Sequence, residues 1–545
     1  MGGTFLAFAL FLGFQAASTQ SPAASRPDLC TVEGTIIAAD TGQPLRKAWV
    51  SLHKAEGRGD AQGAGSDASG HFVIKNVEPG RYRLSAWHAG YVNQAYGQRG
   101  QESSGTTLSL APGQAVHEIS IRLTRAAVIS GHVYDEDGDP VVGAQVSAMR
   151  YGYLEGKKQL MPRGFGQTND LGEYRIYGLA PGSYFLSASH NSNNFQFGGG
   201  GGGPGYPPTY YPNASDAADV TPVSVRGGDD YPGVDFNLQP TRAVTVSGRA
   251  FNAVTGQPGV RTNIFLAPRR SLEEGMFTLQ FQTYVQDPQG AFKLENVVPG
   301  SYYLIGMTQV EGKQYTSRLP LEVGDADLTG VNLTISQGIT LTGRVVGLSK
   351  SEVAGINVLL RPRQRGMFFG TGTTSLKSDG RFDVTNLSDG SYRVDVWQLP
   401  EDAYVKEIRL GDESVLTSGV EITGGQNPGN LEIVISPNGG RLDGVVMKEN
   451  QTFSGASVVL IPNDPALRKE DRFYKLASSD QNGNFTLQGI RPGEYKAYAW
   501  ERIEQGAYQD PNFMSRYENE GKAVEIKEGN QAAIQLSLSS TSPSE

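Results

Sequence analysis

A repeated stretch of eighteen residues constrains this chain more than any other feature. Its first copy, DASGHFVIKNVEPGRYRL, spans Asp67 to Leu84, and four later stretches align with it without a gap. Two glycines lie ten residues apart in every copy: Gly70 and Gly80, Gly172 and Gly182, Gly290 and Gly300, Gly380 and Gly390, Gly483 and Gly493. A fixed spacing repeated along a chain indicates tandem structural units. The 545 residues therefore predict a modular protein rather than one with a single core.

The repeated stretch has the pattern of two short strands joined by a tight turn. Phe72 and Ile74, and after the turn Tyr82 and Leu84, alternate with polar residues, which is typical of strands that bury one face. A Pro-Gly pair between the two segments marks the turn. Asp or Asn ahead of the first glycine favours a second turn, because the side-chain oxygen can accept hydrogen bonds from nearby backbone N–H groups. The stretch is therefore scaffold.

Further strands precede and follow this stretch in the same order in every copy. Segments such as VEGTI (Val32 to Ile36) come before it, and alternating segments such as ISIRL (Ile119 to Leu123) come after it. About seven strands in roughly 100 residues are typical of an immunoglobulin-like sandwich. The copies, numbered one to five, are predicted at 28–127, 128–242, 243–338, 339–439 and 440–541, with a tail at 542–545. Because the junctions are short, we expect the five β-sandwiches to form an elongated array.

Composition agrees with an all-β fold and excludes some partners. The net charge is −9 and no run of Lys or Arg stands out, so nucleic acid and anionic membrane surfaces are not expected partners. Glycine accounts for 70 residues while hydrophobic residues still make up 38%. This combination favours many tight turns between short strands over disorder.

The N-terminus predicts export. An uncharged apolar run, Thr4 to Phe14, is followed by the small residues of QAAS, the pattern of a secretory signal peptide over 1–18 with a linker at 19–27. We expect a periplasmic, cell-surface or extracellular protein with no other membrane-spanning segment. Cys30 is the single cysteine, so no disulfide within the chain is possible.

Catalytic patterns are weak. HKAE, His53 to Glu56, has the spacing of a zinc-binding His-x-x-Glu, but such a site needs a third ligand and a general base. All six histidines lie in the first two copies, and neither a Gly-x-Ser-x-Gly motif nor a Cys–His pair accompanies them. The sequence predicts a protein that is not an enzyme and needs no metal or other cofactor.

One acidic turn leaves two interpretations open. Asp135, Asp137 and Asp139 alternate around a glycine in YDEDGDP, and closely spaced carboxylates can bind Ca²⁺. The equivalent turns of copies one and three lack these acids. A turn without metal is therefore the favoured interpretation.

Three tryptophans are candidate ligand-binding residues. Trp87, Trp397 and Trp500 each follow the second glycine of their copy by seven residues, whereas Tyr82, Tyr392 and Tyr495 follow it by two. Side chains an odd number of residues apart in a strand point to opposite faces, so inward tyrosines predict outward tryptophans. An outward tryptophan can stack on a sugar ring or pack under a loop. For Trp397 we expect packing, under the amphipathic segment QLPEDAYVKEIRL.

One segment departs from the repeat. A Gly/Tyr-rich insertion in copy two, 193–212, contains a glycine tract followed by YPPTYYP. Little apolar surface is available to order the glycine tract. Tyr206, Tyr210 and Tyr211 are further candidate binding residues, and packing on their own sandwich is the alternative interpretation.

The pattern VxG…GxP…AxV…DxxGxF…LxPGxYxL, with HAGY at His88 to Tyr91, resembles carboxypeptidase regulatory-like domains. The resemblance implies seven-stranded transthyretin-like (prealbumin-like) sandwiches, found in tandem in secreted proteins of bacteria such as Acidobacteria. These domains accompany many different partners, so fold alone does not give function. We expect a non-catalytic structural or binding module outside the cytoplasm. Two alternatives stay open: a carbohydrate-binding protein that uses the outward tryptophans, and an accessory subunit of a peptidase or transport system. The expected partners are accordingly a polysaccharide or another envelope protein.

Overall fold

A computed structural model describes residues 28–55, 61–101, 103–190, 206–214, 220–269, 281–363, 372–423 and 426–539. The expected signal peptide, the linker, the glycine tract and the tail lie outside these residues. Within the described ranges, no helix combines the length and apolar character needed to cross a membrane.

Copies one and two consist of strands. Copy one contains β1 (Cys30–Ala38), β2 (Trp49–Lys54), β3 (Gln62–Gly65), β4 (His71–Val77), β5 (Gly80–Trp87), β6 (Gln94–Ala95), β7 (Thr107–Leu110) and β8 (Ala115–Leu123). Copy two contains β9 (Ala127–Tyr134), β10 (Gln145–Leu154), β11 (Lys157–Gln167), β12 (Glu173–Leu179), β13 (Gly182–His190), β14 (Tyr206–Tyr210), β15 (Val223–Val225), β16 (Asp230–Tyr231) and β17 (Phe236–Asn237).

Copies three to five repeat this plan and add short helices. Copy three contains β18 (Val244–Asn252), β19 (Gln257–Pro258), β20 (Asn263–Pro268), β21 (Phe281–Tyr284), β22 (Ala291–Val297), β23 (Gly300–Val310), β24 (Lys313–Val323) and β25 (Leu328–Ile335). Copy four contains β26 (Ile339–Val346), α1 (Lys350–Val353), β27 (Asn357–Pro362), β28 (Gly372–Ser375), β29 (Arg381–Leu387), β30 (Gly390–Trp397), β31 (Tyr404–Leu410), β32 (Glu413–Ser414), β33 (Val420–Ile422) and β34 (Asn430–Ser436). Copy five contains β35 (Gly440–Lys448), β36 (Gln451–Thr452), β37 (Ser457–Pro462), α2 (Pro465–Arg468), β38 (Lys475–Ser478), β39 (Asn484–Ile490), β40 (Gly493–Trp500), α3 (Pro511–Met514), β41 (Lys522–Ile526) and β42 (Gln531–Ser537), with 3₁₀ turns at Asp471–Phe473, Ala507–Gln509 and Ser515–Tyr517.

Each copy forms two sheets with a common topology. In copy one, β1 pairs antiparallel with β4 and parallel with β8, while β2 lies between β3 and β5 in the second sheet. The same arrangement recurs around β9, β18, β26 and β35. Buried side chains of both sheets meet in one cluster per copy. The all-β fold of stacked sheets is confirmed, and the predicted boundaries between copies stay predictions.

The VxG motif has a steric cause. Gly34, Gly131, Gly248, Gly343 and Gly444 lie in the first strand of each copy, where a Cβ would come within 2.6 Å of a carbonyl oxygen on the neighbouring strand. No side chain fits at that distance. The motif therefore marks the place where the first and last strands of a copy approach most closely.

The PGxY motif is explained by its turn and its tyrosine. Four of the turn glycines, Gly80, Gly182, Gly390 and Gly493, have φ between 146° and 155°, a region that other residues rarely adopt. The tyrosine two residues later is buried in every copy, and its hydroxyl donates to the carbonyl four residues upstream: Tyr82 to Glu78, Tyr184 to Ala180, Tyr302 to Val298, Tyr392 to Ser388 and Tyr495 to Arg491, all at 2.7–2.8 Å. The predicted inward orientation of the tyrosines is confirmed.

The predicted turn at the start of the repeated stretch is observed in four copies, where the first residue accepts from the N–H groups two and four residues later: Asp67, Asn169, Asp287 and Asp480. Asp67 Oδ1 accepts hydrogen bonds from the N–H groups of Ser69 and His71 at 2.8 and 2.9 Å. In the acidic turn of copy two, Asp135 Oδ1 accepts from the N–H groups of Asp137 and Asp139 at 3.0 and 2.9 Å. That carboxylate is thus committed to its own backbone. The observed geometry is that of the predicted turn.

The expected elongated array is wrong, because copy five contacts copy one. Gln481 Nε2 donates to Ser109 O at 2.8 Å, and Ser109 N donates to Gln481 Oε1 at 3.0 Å. Arg81 Nη1 donates to Thr486 O at 3.1 Å. Copy five also packs on copy two, where the rings of Tyr153 and Phe513 lie 6.2 Å apart. Short junctions fix how consecutive copies follow one another, but they do not prevent the chain from turning back on itself.

Candidate functional site: a cleft shared by three copies

The three predicted tryptophans have two different environments. Trp87 and Trp397 are 52% and 53% exposed, as strand parity predicts. Trp500 points to the same outer face of its copy but is only 1% exposed. Of the two arrangements that the sequence left open, Trp500 therefore has the packed one.

The long connection after β40 covers Trp500. Its side chains Ile503, Ala507, Tyr508 and Tyr517 form a second hydrophobic cluster over the outer sheet face of copy five. The Trp500 ring stacks on Tyr498, with centroids 5.3 Å apart and planes 11° apart. Tyr517 meets the Trp500 ring edge-on at 5.5 Å. The aromatic residues between positions 501 and 521 could have predicted that this connection covers Trp500. Strand parity considers only the strand itself and therefore did not predict the burial.

Trp397, unlike Trp500, is not covered by the connection that follows it. The segment expected to cover it forms β31, which pairs with β34 in the other sheet of copy four. The predicted packing of Trp397 under this segment is wrong, because backbone pairing draws the segment to the opposite side of the sandwich. Trp397 instead lies on the wall of a large cleft.

This cleft lies where copies two, four and five meet. Its volume is about 1130 Å³, which is more than enough for several sugar rings or a short peptide. Leu154 and Glu155 of the β10–β11 hairpin form one wall and Trp397 belongs to another. Tyr474 and Tyr508 of copy five add aromatic surface. A site of this kind exists only when the copies are assembled.

Buried ion pairs hold copy four against copy five beside the cleft. Glu470, whose side chain is 2% exposed, accepts from Arg363 Nη2 at 2.9 Å. Arg393 binds Asp395 at 2.9 Å and Asp471 at 2.7 Å. Since removal of one partner would leave a buried charge uncompensated, this network fixes the relative position of the two copies.

The same network controls the charges at the cleft. Burial alone would lower the pKa of Arg393, but the carboxylates of Asp395 and Asp471 raise that pKa above its usual value. For Arg472, burial outweighs Glu470 and Asp395 and lowers the pKa. Arg472 also donates to the carbonyl oxygens of Val394 and Leu416 in copy four. Arginine stays charged at any physiological pH, so the ion pairs of this network persist at the cleft wall.

The aromatic part of the cleft is neutral. Burial raises the pKa of Tyr474 to about 12, and its hydroxyl donates to Arg468 O at 3.0 Å. The rings of Tyr474 and Tyr508 lie 5.8 Å apart. Burial also raises the pKa of Tyr508. Both tyrosines are only 6% exposed, so Trp397 is the aromatic side chain of this wall whose ring is open to a ligand.

A smaller cavity of about 260 Å³ lies on the other side of Trp397. Lys475, Arg472 and Arg491 line it together with apolar side chains of copy four. Burial lowers the pKa of Lys475 to about 8. Trp397 thus separates two cavities at the junction of copies four and five.

The other predicted binding residues lie away from this cleft. Trp87 is in copy one, and the described tyrosines of the insertion pack on copy two. Tyr206 is 8% exposed and donates to Glu136 Oε2 at 2.8 Å, while the Tyr211 ring lies 6.1 Å from that of Phe236. Tyr210 pairs with Ser187 in the sheet. Packing accounts for these contacts, and a ligand-binding role for the three tyrosines stays a prediction.

Sequence reasoning missed Tyr474 and Tyr508, because they lie in connections rather than in repeated strands. The zinc interpretation of His53 gains no support from its surroundings, since His53 Nε2 lies 2.7 Å from Ser51 Oγ, and Glu56 lies outside the described residues. Among the described residues, no group of three or more His, Cys, Asp or Glu is arranged to hold a metal ion.

Comparison with known proteins supports the resemblance for copy one. Residues 31–124 match the family model of the carboxypeptidase regulatory-like domain, as the repeat pattern predicted. No curated protein matches the chain.

Several solved structures are similar to parts of this chain. The Bacillus anthracis TIE protein is 13% identical over 57% of this chain and 51% of its own, with a TM-score of 0.16. The match therefore spans about half of that protein. GBS52, the minor pilin of Streptococcus agalactiae, is 14% identical over 39% of this chain and 96% of its own, with a TM-score of 0.22. BcpA, the major pilin subunit of Bacillus cereus, is 12% identical over 56% and 99%, with a TM-score of 0.14. At these values the matches carry no inference about function.

Proposed function

We propose that this protein is a non-catalytic binding protein outside the cytoplasm, and that the cleft between copies two, four and five binds an oligosaccharide. The assembly of the cleft carries the proposal: three copies contribute to one cleft of about 1130 Å³ with Trp397 exposed on its wall. The role of the sandwiches is then to hold these walls in place. Export is proposed on the apolar run at Thr4 to Phe14.

The chemistry of the cleft suits a sugar chain. A sugar ring has apolar C–H faces that stack on aromatic side chains and hydroxyl groups that need hydrogen-bond partners. Trp397 supplies an exposed ring, and the exposed side chains of Arg468 and Lys469 supply hydrogen-bond donors. Because Arg468 Nε already donates to Pro462 O at 2.6 Å, little entropy of that side chain is lost when a ligand binds.

The same contacts support a non-catalytic role. Glu470 and Asp471, two acids of the cleft, are bound to arginines. Asp510 accepts from Asn512 N at 2.8 Å at the start of α3. A general acid or base needs a carboxyl group free to exchange a proton with the substrate, and these acids are occupied as structural partners.

Titration calorimetry with soluble oligosaccharides tests the proposal. We expect Trp397→Ala to weaken binding by roughly tenfold or more, since a buried aromatic contact is a typical binding hot spot. Phe165→Ala is the control, because it removes an aromatic side chain that is 55% exposed and lies outside the cleft. Equal affinities of wild type and Trp397→Ala, or shortening of the sugar chain during the titration, would contradict the proposal.

A further inference from the structure

Copy one carries an exposed pair of tryptophans that lies apart from the cleft. Trp49 of β2 is directly opposite Trp87 of β5, and each is 52% exposed. Side chains directly opposite in an antiparallel pair have Cβ atoms about 5 Å apart. The two indoles are therefore neighbours on the outer face of one sheet.

Glycines in the adjoining strand keep this face flat. A Cβ on Gly63 would lie 2.7 Å from Cζ2 of Trp49 and 3.0 Å from its Cε2. The Trp49 ring thus rests directly on the backbone of β3, and its other face is open to solvent. At Gly65, opposite Trp49, a Cβ would meet nothing within 4 Å. The absence of side chains at both positions leaves a level surface beside the indoles.

Polar side chains continue the same face along the strands. Ser51 is opposite Ser85, and His53 is opposite Arg83. Alternate residues of a strand share one face, so these two pairs follow the tryptophan pair in successive rows. The face combines aromatic surface with hydroxyl, imidazole and guanidinium groups.

The exposed area decides between kinds of partner. Two half-exposed indoles offer roughly 250 Å² of ring surface, well below the ~800 Å² per partner that a standard protein interface buries. A second copy of this chain or another protein would need much more apolar contact. A flat polysaccharide needs only ring faces to stack on and nearby groups for its hydroxyls.

We propose that Trp49, Trp87 and the polar rows beside them form a planar binding site for a polysaccharide surface. This site differs from the cleft in both shape and position. The cleft encloses a single soluble chain between copies, whereas the planar site lies on one sheet of copy one. The proposal is therefore independent of the proposed function of the cleft.

Adsorption to insoluble cellulose and insoluble chitin tests the planar site, because both present level arrays of sugar rings. We expect Trp49→Ala and Trp87→Ala each to lower the adsorption affinity by roughly tenfold. Both variants should keep the wild-type melting temperature, since the rings are half exposed. Phe165→Ala, which removes a similarly exposed ring from copy two, should adsorb like wild type.

A glycine pair gives a second test that leaves both tryptophans in place. Gly63→Ala must displace the Trp49 ring and also meets Val50 O at 2.7 Å, so its weaker adsorption is compared at a temperature where circular dichroism shows the variant folded. The matched control Gly65→Ala should adsorb like wild type. Failure of wild type to adsorb to either polymer would overturn the proposal, as would full adsorption by the two tryptophan variants. Self-association of wild type that Trp49→Ala abolishes would also overturn it, in favour of a second copy as the occupant.

Discussion

Lys475 is a residue whose charge depends strongly on the fold. It lines the smaller cavity at the junction of copies four and five, near Arg472 and Arg491. Burial lowers its pKa from 10.5 to about 8. Between these two values the unfolded chain binds more protons than the folded one, so the free energy of unfolding rises with pH across this window. Below pH 8 the fold contains a charged amine in a poorly hydrated place.

Replacement of Lys475 should therefore stabilise the protein at neutral pH. We expect Lys475→Met to raise the free energy of unfolding at pH 7 by up to about 3 kcal/mol, and this gain should disappear by a pH near 10.5. Urea denaturation at both pH values measures the change, with the exposed Lys469→Met as control. A loss of stability at pH 7 would instead reveal a partner that favours the charged amine.

Single residues of the repeated stretch were predictable because their role is local. The inward tyrosines and the Asp67 turn follow from strand parity and from the reach of a side chain to its own backbone. Lys475 could not be found in this way. Its burial depends on copy four lying against copy five, and no pattern within copy five encodes that contact.

At the scale of elements, the tryptophan position of the repeat is buried in copy five and exposed in copy four, because the connection that follows it differs. The strand that ends in Trp500 is followed by a connection with Ile503, Tyr508 and Tyr517, which folds over the sheet. The connection after Trp397 pairs with the other sheet instead. Parity within a strand predicts the direction of a side chain, whereas its exposure depends on where the next segment finds hydrogen-bond partners.

This difference should be measurable as stability. Trp500→Ala would leave a cavity under the connection and should cost about 3–5 kcal/mol, which lowers the melting temperature of copy five by on the order of 10 °C or more. Trp397→Ala should change it little, because that ring is 53% exposed. Differential scanning calorimetry of both variants makes the comparison. Equal losses would mean that Trp397 is packed after all.

At the scale of the whole molecule, copy five contacts three of the other copies. It contacts copy one through Gln481 and Ser109, copy two through Phe513 and Tyr153, and copy four through the buried ion pairs. On the copy-five side these contacts use Gln481, Phe513 and Glu470, which lie in turns and connections that vary between copies. The repeat pattern therefore predicted the individual sandwiches. It could not predict how the sandwiches are arranged or the cleft between them.

Small-angle scattering should detect this arrangement. A compact chain of this length has a radius of gyration of about 24 Å, whereas five 100-residue bodies in line would give roughly 50 Å. We expect a value much closer to the former, since copies one and five touch. A value near that of the straight array would show that these contacts do not persist in solution.

The most direct test of the binding cleft is ¹⁹F NMR of protein labelled with fluorotryptophan. The four tryptophans give separate resonances, which single substitutions assign to Trp49, Trp87, Trp397 and Trp500. On titration with a soluble oligosaccharide, we predict that the Trp397 resonance shifts in a saturable manner while the buried Trp500 resonance stays in place. A Trp397 resonance that does not move while the sugar binds elsewhere, or no response of any resonance, would contradict the claim that this cleft is the binding site.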